Sequence, residues 1–208
     1  MRTRFLTLVL AASIAVAAAP AWSQNPQNPE PPKLVEPPKE LPKPQRGDPA
    51  KNLDKLFAAL KIAPDAESAK FIENRIWALW FHSPSDTAAL LMTRVKTAIE
   101  AKNLDLAIQL LTSVIEIQPD FIEAWNRRAT IYYMKKDYGR SLEDIREVLA
   151  REPRHFGALS GLGMILADLG EEKNALDAFR RALAVHPRLE RIPEQVKRLE
   201  DKLEGRGI

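Results

Sequence analysis

The 208-residue sequence has no cysteine. That excludes disulfides, lipid attachment at an N-terminal cysteine, and thiolate chemistry of any kind. Histidine is almost as scarce, with only His82, His155 and His186. No H-E-x-x-H motif occurs, and no two histidines lie one helical turn apart, so a zinc site would need a rarer set of histidines and carboxylates. The chain lacks an excess of one charge over its folded part. Residues 48–208 balance at zero, and the net +3 comes from Arg2, Arg4 and a small surplus in 24–47. A clustered Lys/Arg footprint of the kind that binds nucleic acid is missing. After residue 19 there is no second apolar run long enough to cross a membrane.

What is present begins with a three-part leader. Arg2 and Arg4 precede an apolar run, Phe5 to Ala19, and Ala21 and Ser23 supply small residues before Gln24. This is the pattern of a secretory signal peptide over 1–23. The competing reading, a membrane anchor, asks for about 20 apolar residues. Residues 24–47 then hold eight of the sixteen prolines, with Pro-Pro-Lys at 31–33 and again at 37–39. Proline donates no amide hydrogen and holds its predecessor extended. The segment reads as a disordered, polyproline-type linker that would reach roughly 70 Å if fully extended. It serves as a spacer or, alternatively, as a ligand for a proline-reading domain.

Helical periodicity follows. Leu53, Leu56, Phe57 and Leu60 form one stripe, Pro64 interrupts it, and Asp65 is placed to cap a second helix carrying Ala69, Ile72, Ile76 and Trp80 on one face. Residues 48–85 are thus a helix hairpin. Beyond it Pro119, Pro153 and Pro187 recur every 34 residues. Each closes a segment, 86–119, 120–153 or 154–187, that reads as two short amphipathic helices. A repeat of that length cannot bury its apolar face alone and must stack on its neighbours.

The third segment shows Leu159, Leu162, Gly163, Leu166, Ala175, Phe179, Ala182 and Pro187. The second shows Trp125, Ala129, Tyr132, Ser141, Ile145, Val148 and Pro153, and the first Leu91, Val95, Ala98, Ala107, Leu111, Val114 and Pro119. In this order and spacing they resemble the tetratricopeptide repeat (TPR). Arg94 and Arg128 depart from the pattern, standing where it has leucine. The resemblance implies an all-α fold, a right-handed α-solenoid of helix hairpins, with a concave face lined mainly by the first (A) helix of each repeat. The small residues should mark helix crossings, Gly163 against Ala175 and Ala129 against Ser141, with large residues filling the adjoining holes. Asn103 and Asp137 are expected N-caps, and Gly170 an expected left-handed helix end. The 48–85 hairpin is expected to be a degenerate leading repeat, sealed onto the first repeat by Trp77, Trp80 and Phe81. Residues 188–208 should form a capping helix with Ile192, Val196, Leu199 and Leu203 inward and Pro193 in its first turn.

No reaction site emerges. Gly157-Ala158-Leu159-Ser160-Gly161 has the wrong spacing for a nucleophile elbow, and no lysine follows to make a phosphate loop. Carboxylate pairs such as Glu171-Glu172 sit at helix starts, where the helix dipole favours them. No catalytic, metal or cofactor residue is therefore assigned. The family geometry implies a peptide-binding surface of Met92, Lys96 and Glu100 in the first repeat, Glu123, Asn126, Arg127, Thr130 and Tyr133 in the second, and Ser160, Met164 and Asp168 in the third. Lys96, Asn126 and Arg127 match only a fragment of the Lys/Asn/Arg set with which some relatives hold a terminal carboxylate. The expected function is an exported adaptor or scaffold, periplasmic or secreted, that binds a protein or peptide and catalyses nothing. A self-associating envelope subunit, joined through its terminal helices, is the alternative; an enzyme with an unrecognised site is a weaker one. N-terminal sequencing of the exported protein should begin at Gln24 or within a few residues of it, and a membrane-bound product retaining Met1 would contradict the leader.

Overall fold

The computed structural model describes residues 49–83 and 85–205; the expected leader 1–23 and proline-rich linker 24–47 lie outside the described residues. Among the described residues there are nine helices and no strand. Helices α1 (Pro49–Lys61) and α2 (Ala66–Trp80) form the hairpin. Three pairs follow: α3 (Asp86–Glu100) with α4 (Leu104–Ile117), α5 (Ile122–Met134) with α6 (Tyr138–Arg151), and α7 (Phe156–Asp168) with α8 (Glu172–Val185). Helix α9 (Ile192–Glu204) ends the stack.

Local chemistry sets the boundaries. Asp65, Asn103 and Asp137 each accept a hydrogen bond from the backbone three residues on, which satisfies an otherwise orphaned N–H at the start of α2, α4 and α6. Glu171 makes no such cap at α8. The A helices end in a common device. Lys102, Lys136 and Gly170, 34 residues apart, hold positive φ of 57°, 58° and 81°. The next residue reaches back to close a six-residue loop, as Asn103 N–H does to the Ala98 carbonyl at 2.8 Å. This is the Schellman arrangement. Glycine is the residue that suits it, and only the third repeat has one.

Within each repeat the two helices pack along their small-residue positions. Ala98 and Ala107, Ala129 and Ser141, and Gly163 and Ala175 are all buried. Ser141 adds a hydrogen bond across the crossing, its hydroxyl donating to the Ala129 carbonyl at 2.7 Å. Gly163 differs from expectation in its partner. A Cβ there would lie 2.5 Å from Cδ1 and Cε1 of Phe179, so it is the phenylalanine ring, with no exposed surface, that occupies the vacant volume. Arg128, the departure from the leucine pattern, is a substitute rather than a defect. Its guanidinium forks onto the buried Asp144 at 2.9 and 2.8 Å and reaches back to the Thr112 hydroxyl of the preceding repeat at 2.9 Å. Arg94, at the equivalent place in the first repeat, is exposed. Helix α9 buries Ile192 and Leu199 against α8, and ion pairs Arg180–Glu200 and Lys202–Glu172 flank that contact.

The hairpin does not stack on the first repeat as a leading repeat would. It lies against the turns that join successive repeats. Ser83 donates to Gln118 at 2.9 Å, Arg154 pairs with Asp54 at 2.7 Å, and Arg188 donates to the Ala63 carbonyl at 3.0 Å. Trp77 and Trp80 meet Phe156 at ring-centre distances of 5.4 and 5.2 Å. The physical reason lies in side-chain size. The start of α3 carries no aromatic ring, whereas the start of α7 offers the buried ring of Phe156 followed by Gly157. A Cβ on Gly157 would sit 3.0 Å from Cη2 of Trp77, so the missing side chain is what admits the indole. The aromatic cluster seals the hairpin to the second and third repeats, not to the first.

Replacing Gly163 with alanine should force the Phe179 ring to shift and destabilise the protein by about 1–3 kcal/mol, with leucine worse; thermal melts that match the parent would refute this crossing.

Candidate functional site

Helices α5 and α7, the A helices of successive repeats, face each other across a pocket of about 320 Å³. Its walls are apolar: Ala129, Met134, Ile145 and Ile165 are among them, with Tyr133 and Met164 at the sides. Gly157 and Gly161 both border the pocket, and at Gly161 the missing side chain leaves room on the Ile145 side. A Cβ on Gly161 would lie 3.6 Å from Ile145, an ordinary contact. The polar groups are Asn126, Thr130, Ser141 and Ser160.

Those polar groups are largely committed as donors. The Thr130 hydroxyl donates to the Asn126 carbonyl at 2.9 Å, the Ser160 hydroxyl to the Phe156 carbonyl at 2.7 Å, and Ser141 to Ala129 as described. Asn126 donates its side-chain amide to Glu123 at 3.3 Å. A hydroxyl has one hydrogen and two lone pairs, so what Thr130 and Ser160 still offer are acceptors. Tyr133 and Tyr138 approach at 5.9 Å, and the Tyr138 hydroxyl donates to Asp168 at 3.1 Å. Burial, followed by hydrogen bonding with the Asp168 carboxylate, pushes the Tyr133 hydroxyl above its ordinary value, so it stays a neutral phenol.

Of the residues expected on the concave face, the structure gathers Asn126, Thr130, Tyr133, Ser160 and Met164 at this pocket. The others lie elsewhere. Met92 packs against the core of the first repeat, and Lys96 and Glu100 form an exposed pair at 3.8 Å on α3. Arg127 lies over the Phe81 ring at 4.5 Å, and its Nε is buried without a partner. Asp168 is held by Tyr138 beyond the pocket rim.

Glu123 is a correction. It is 1% exposed and belongs to the interior. The reason is His155, which is wholly buried and caps α7: its Nδ1 accepts the Ala158 N–H at 3.0 Å. With Nδ1 an acceptor, the ring hydrogen sits on Nε2 and is donated to Glu123 at 2.8 Å. Trp80 stacks on the same imidazole at 4.0 Å and 12°. A chain of contacts therefore runs from the hairpin through Trp80, His155 and Glu123 to Asn126 in the pocket. From the sequence alone His155 carries no assigned role; the available signal was a hairpin with two tryptophans and no ring-sized counterpart in α3.

A second histidine ties the same hairpin. His186 Nε2 lies 3.4 Å from Glu73, which also accepts from Lys70 and Trp77. The His186 hydrogen bond, then those of Lys70 and Trp77, outweigh desolvation and lower the Glu73 carboxyl from 4.5 to about 2. Among the described residues no group of three His, Cys, Asp or Glu could hold a metal ion, and no helix is long and apolar enough to cross a membrane.

A stack of helix pairs with an open groove between successive A helices defines a helical-repeat solenoid. A tetratricopeptide repeat family model matches residues 136–189. A TPR repeat-containing protein of Rhizobium etli is 42% identical over 157 residues, covering 76% of this chain and 77% of that protein. The chain belongs to the tetratricopeptide repeat proteins. The small glutamine-rich tetratricopeptide repeat-containing protein 2 of Saccharomyces cerevisiae is 26% identical over 88 residues, 42% of this chain and 25% of its own length. Among solved structures, the first TPR of Spaghetti (RPAP3) bound to an HSP90 peptide superposes with a TM-score of 0.55 at 20% identity, over 59% of this chain and 98% of that one. The Arabidopsis OM64 TPR domain gives 0.54 at 18%, over 56% and 97%. At these identities the likeness is one of fold.

Because the folded-state pKa of Glu73 is depressed, its contribution is complete above about pH 4.5 and is lost as pH falls toward 2. Acid titration should loosen the hairpin in that window, read as a change in Trp77 and Trp80 fluorescence, and Glu73→Gln should make this part of the transition independent of pH. An unaltered acid transition in Glu73→Gln would remove Glu73 from the account.

Proposed function

We propose that this protein is an exported, non-catalytic adaptor that binds a protein or peptide in the groove between α5 and α7. The observation that carries the reading is the pocket itself. The apolar end of the stack is covered by α9 and the inter-repeat turns by the α1–α2 hairpin, yet the α5–α7 groove keeps an open apolar floor. Structural neighbours favour a protein or peptide as the ligand class, since the first TPR of RPAP3 was solved bound to an HSP90 peptide and the TPR2B domain of yeast Sti1 in a pHsp70 complex. Export to the periplasm rests on the leader-like pattern of residues 1–23 and is consistent with a bacterial relative.

The test is selection from a random peptide library on the mature chain, followed by calorimetry of the selected peptides. Asn126→Ala with Tyr133→Ala should weaken binding by on the order of tenfold or more, as expected for central contacts, with helicity unchanged by circular dichroism. Arg180→Ala, on α8 facing α9, should bind as the parent does. Equal affinities for the double variant and the parent would overturn the groove as the site.

A further inference from the structure

We propose that the α5–α7 pocket is an anchor site for one uncharged, apolar side chain of an extended peptide, and that it does not hold a carboxylate. The proposal rests on the peptide-binding reading above and names the ligand chemistry. Three observations converge on it.

The first is the absence of a cation where a carboxylate would need one. No charged residue lines the pocket. The nearby basic groups lie outside it: Arg127 is stacked over the Phe81 ring, Arg128 turns inward onto Asp144 and Thr112, and Lys96 is on α3 beside Glu100. The second is the direction of the polar rim. Thr130 and Ser160 have given their hydrogens to their own helix, and Asn126 has given an N–H to Glu123. A carboxylate only accepts, and the neutral donors left, such as the second Asn126 amide hydrogen, supply no positive charge to offset burying it. A peptide backbone N–H, in contrast, finds acceptors there. The third is size and shape. About 320 Å³ is near the lower end of ligand sites, which suits one or two side chains. Tyr133 and the two methionines provide a flat amphipathic contact and an adaptable one.

The methionines also supply the test. Besides Met1, the chain has three, Met92, Met134 and Met164. Met134 and Met164 line the pocket, and Met92 packs on the first-repeat core. With ¹³C-methyl-methionine protein, N-acetyl-phenylalaninamide is titrated to tens of millimolar and compared with N-acetyl-aspartamide bearing a free side-chain carboxylate. The phenylalanine probe should shift the Met134 and Met164 methyls at least several-fold more than the aspartate probe does, and leave Met92 in place. Gly161→Leu, which has room for a Cβ and projects its side chain into the pocket, should abolish those shifts while Met92 keeps its parental position. The proposal is overturned by equal shifts with the aspartate probe, by no shift with either, by equal movement of Met92, or by shifts that survive Gly161→Leu. Library peptides that bind the groove but anchor through an acidic residue or a terminal carboxylate would also overturn it, while leaving the peptide-binding reading intact.

Discussion

His155 does three jobs with one ring, and much of the molecule is arranged around that fact. Its Nδ1 starts α7, its Nε2–H neutralises the isolation of a buried glutamate, and its face receives Trp80. An unpaired carboxylate at that depth would be costly, and Glu123 is tolerated because the imidazole presents a hydrogen there at 2.8 Å, with the Asn126 amide adding a longer one. The imidazole presents that hydrogen because the helix N-terminus claims its other nitrogen. The ring's position then fixes where the hairpin can dock. Burial of an aromatic ring contributes several kcal/mol, against about 0–1 kcal/mol for an exposed ion pair such as Asp54–Arg154. The rings decide the site of docking and the ion pairs trim it.

The repeats themselves depend on a simpler constraint, that two helices approach closely only where one of them is small. Each repeat meets it differently. The first uses alanines, the second adds a serine hydroxyl bonded across the crossing, and the third uses a glycine to seat a phenylalanine ring. Arg128 shows that the pattern specifies volume and satisfaction, not residue type. A guanidinium replaces leucine because a carboxylate and a hydroxyl are placed to take its hydrogens.

Helix limits and repeat register were legible because they are local. Capping residues, proline spacing and a 34-residue period are written along the chain, and Asn103, Asp137 and Gly170 take the roles their chemistry dictates. The pocket was legible in part. Asn126, Thr130, Tyr133, Ser160 and Met164 follow from the family geometry that the repeat pattern implies, but the seclusion of Glu123 and Arg127 does not, since it is imposed by Trp80, His155 and Phe81 from distant parts of the sequence. The glycines of α7 show the same divide. Gly163 was readable as a crossing residue, whereas Gly157 has its reason in Trp77, some eighty positions earlier.

A solenoid whose repeats touch only their neighbours unfolds piecemeal, because each end can open without the other noticing. Here the hairpin joins residues 100, 113 and 125 positions apart, Asp54 to Arg154, Glu73 to His186, and Ala63 to Arg188. The chain is drawn into a loop, and the last repeat is answerable to the first helices. Such long-range closure raises the mean sequence separation of contacts, which slows folding, and it couples the two ends of the stack. A row of quasi-independent units closed in this way should open more cooperatively than a stack tied only between neighbours.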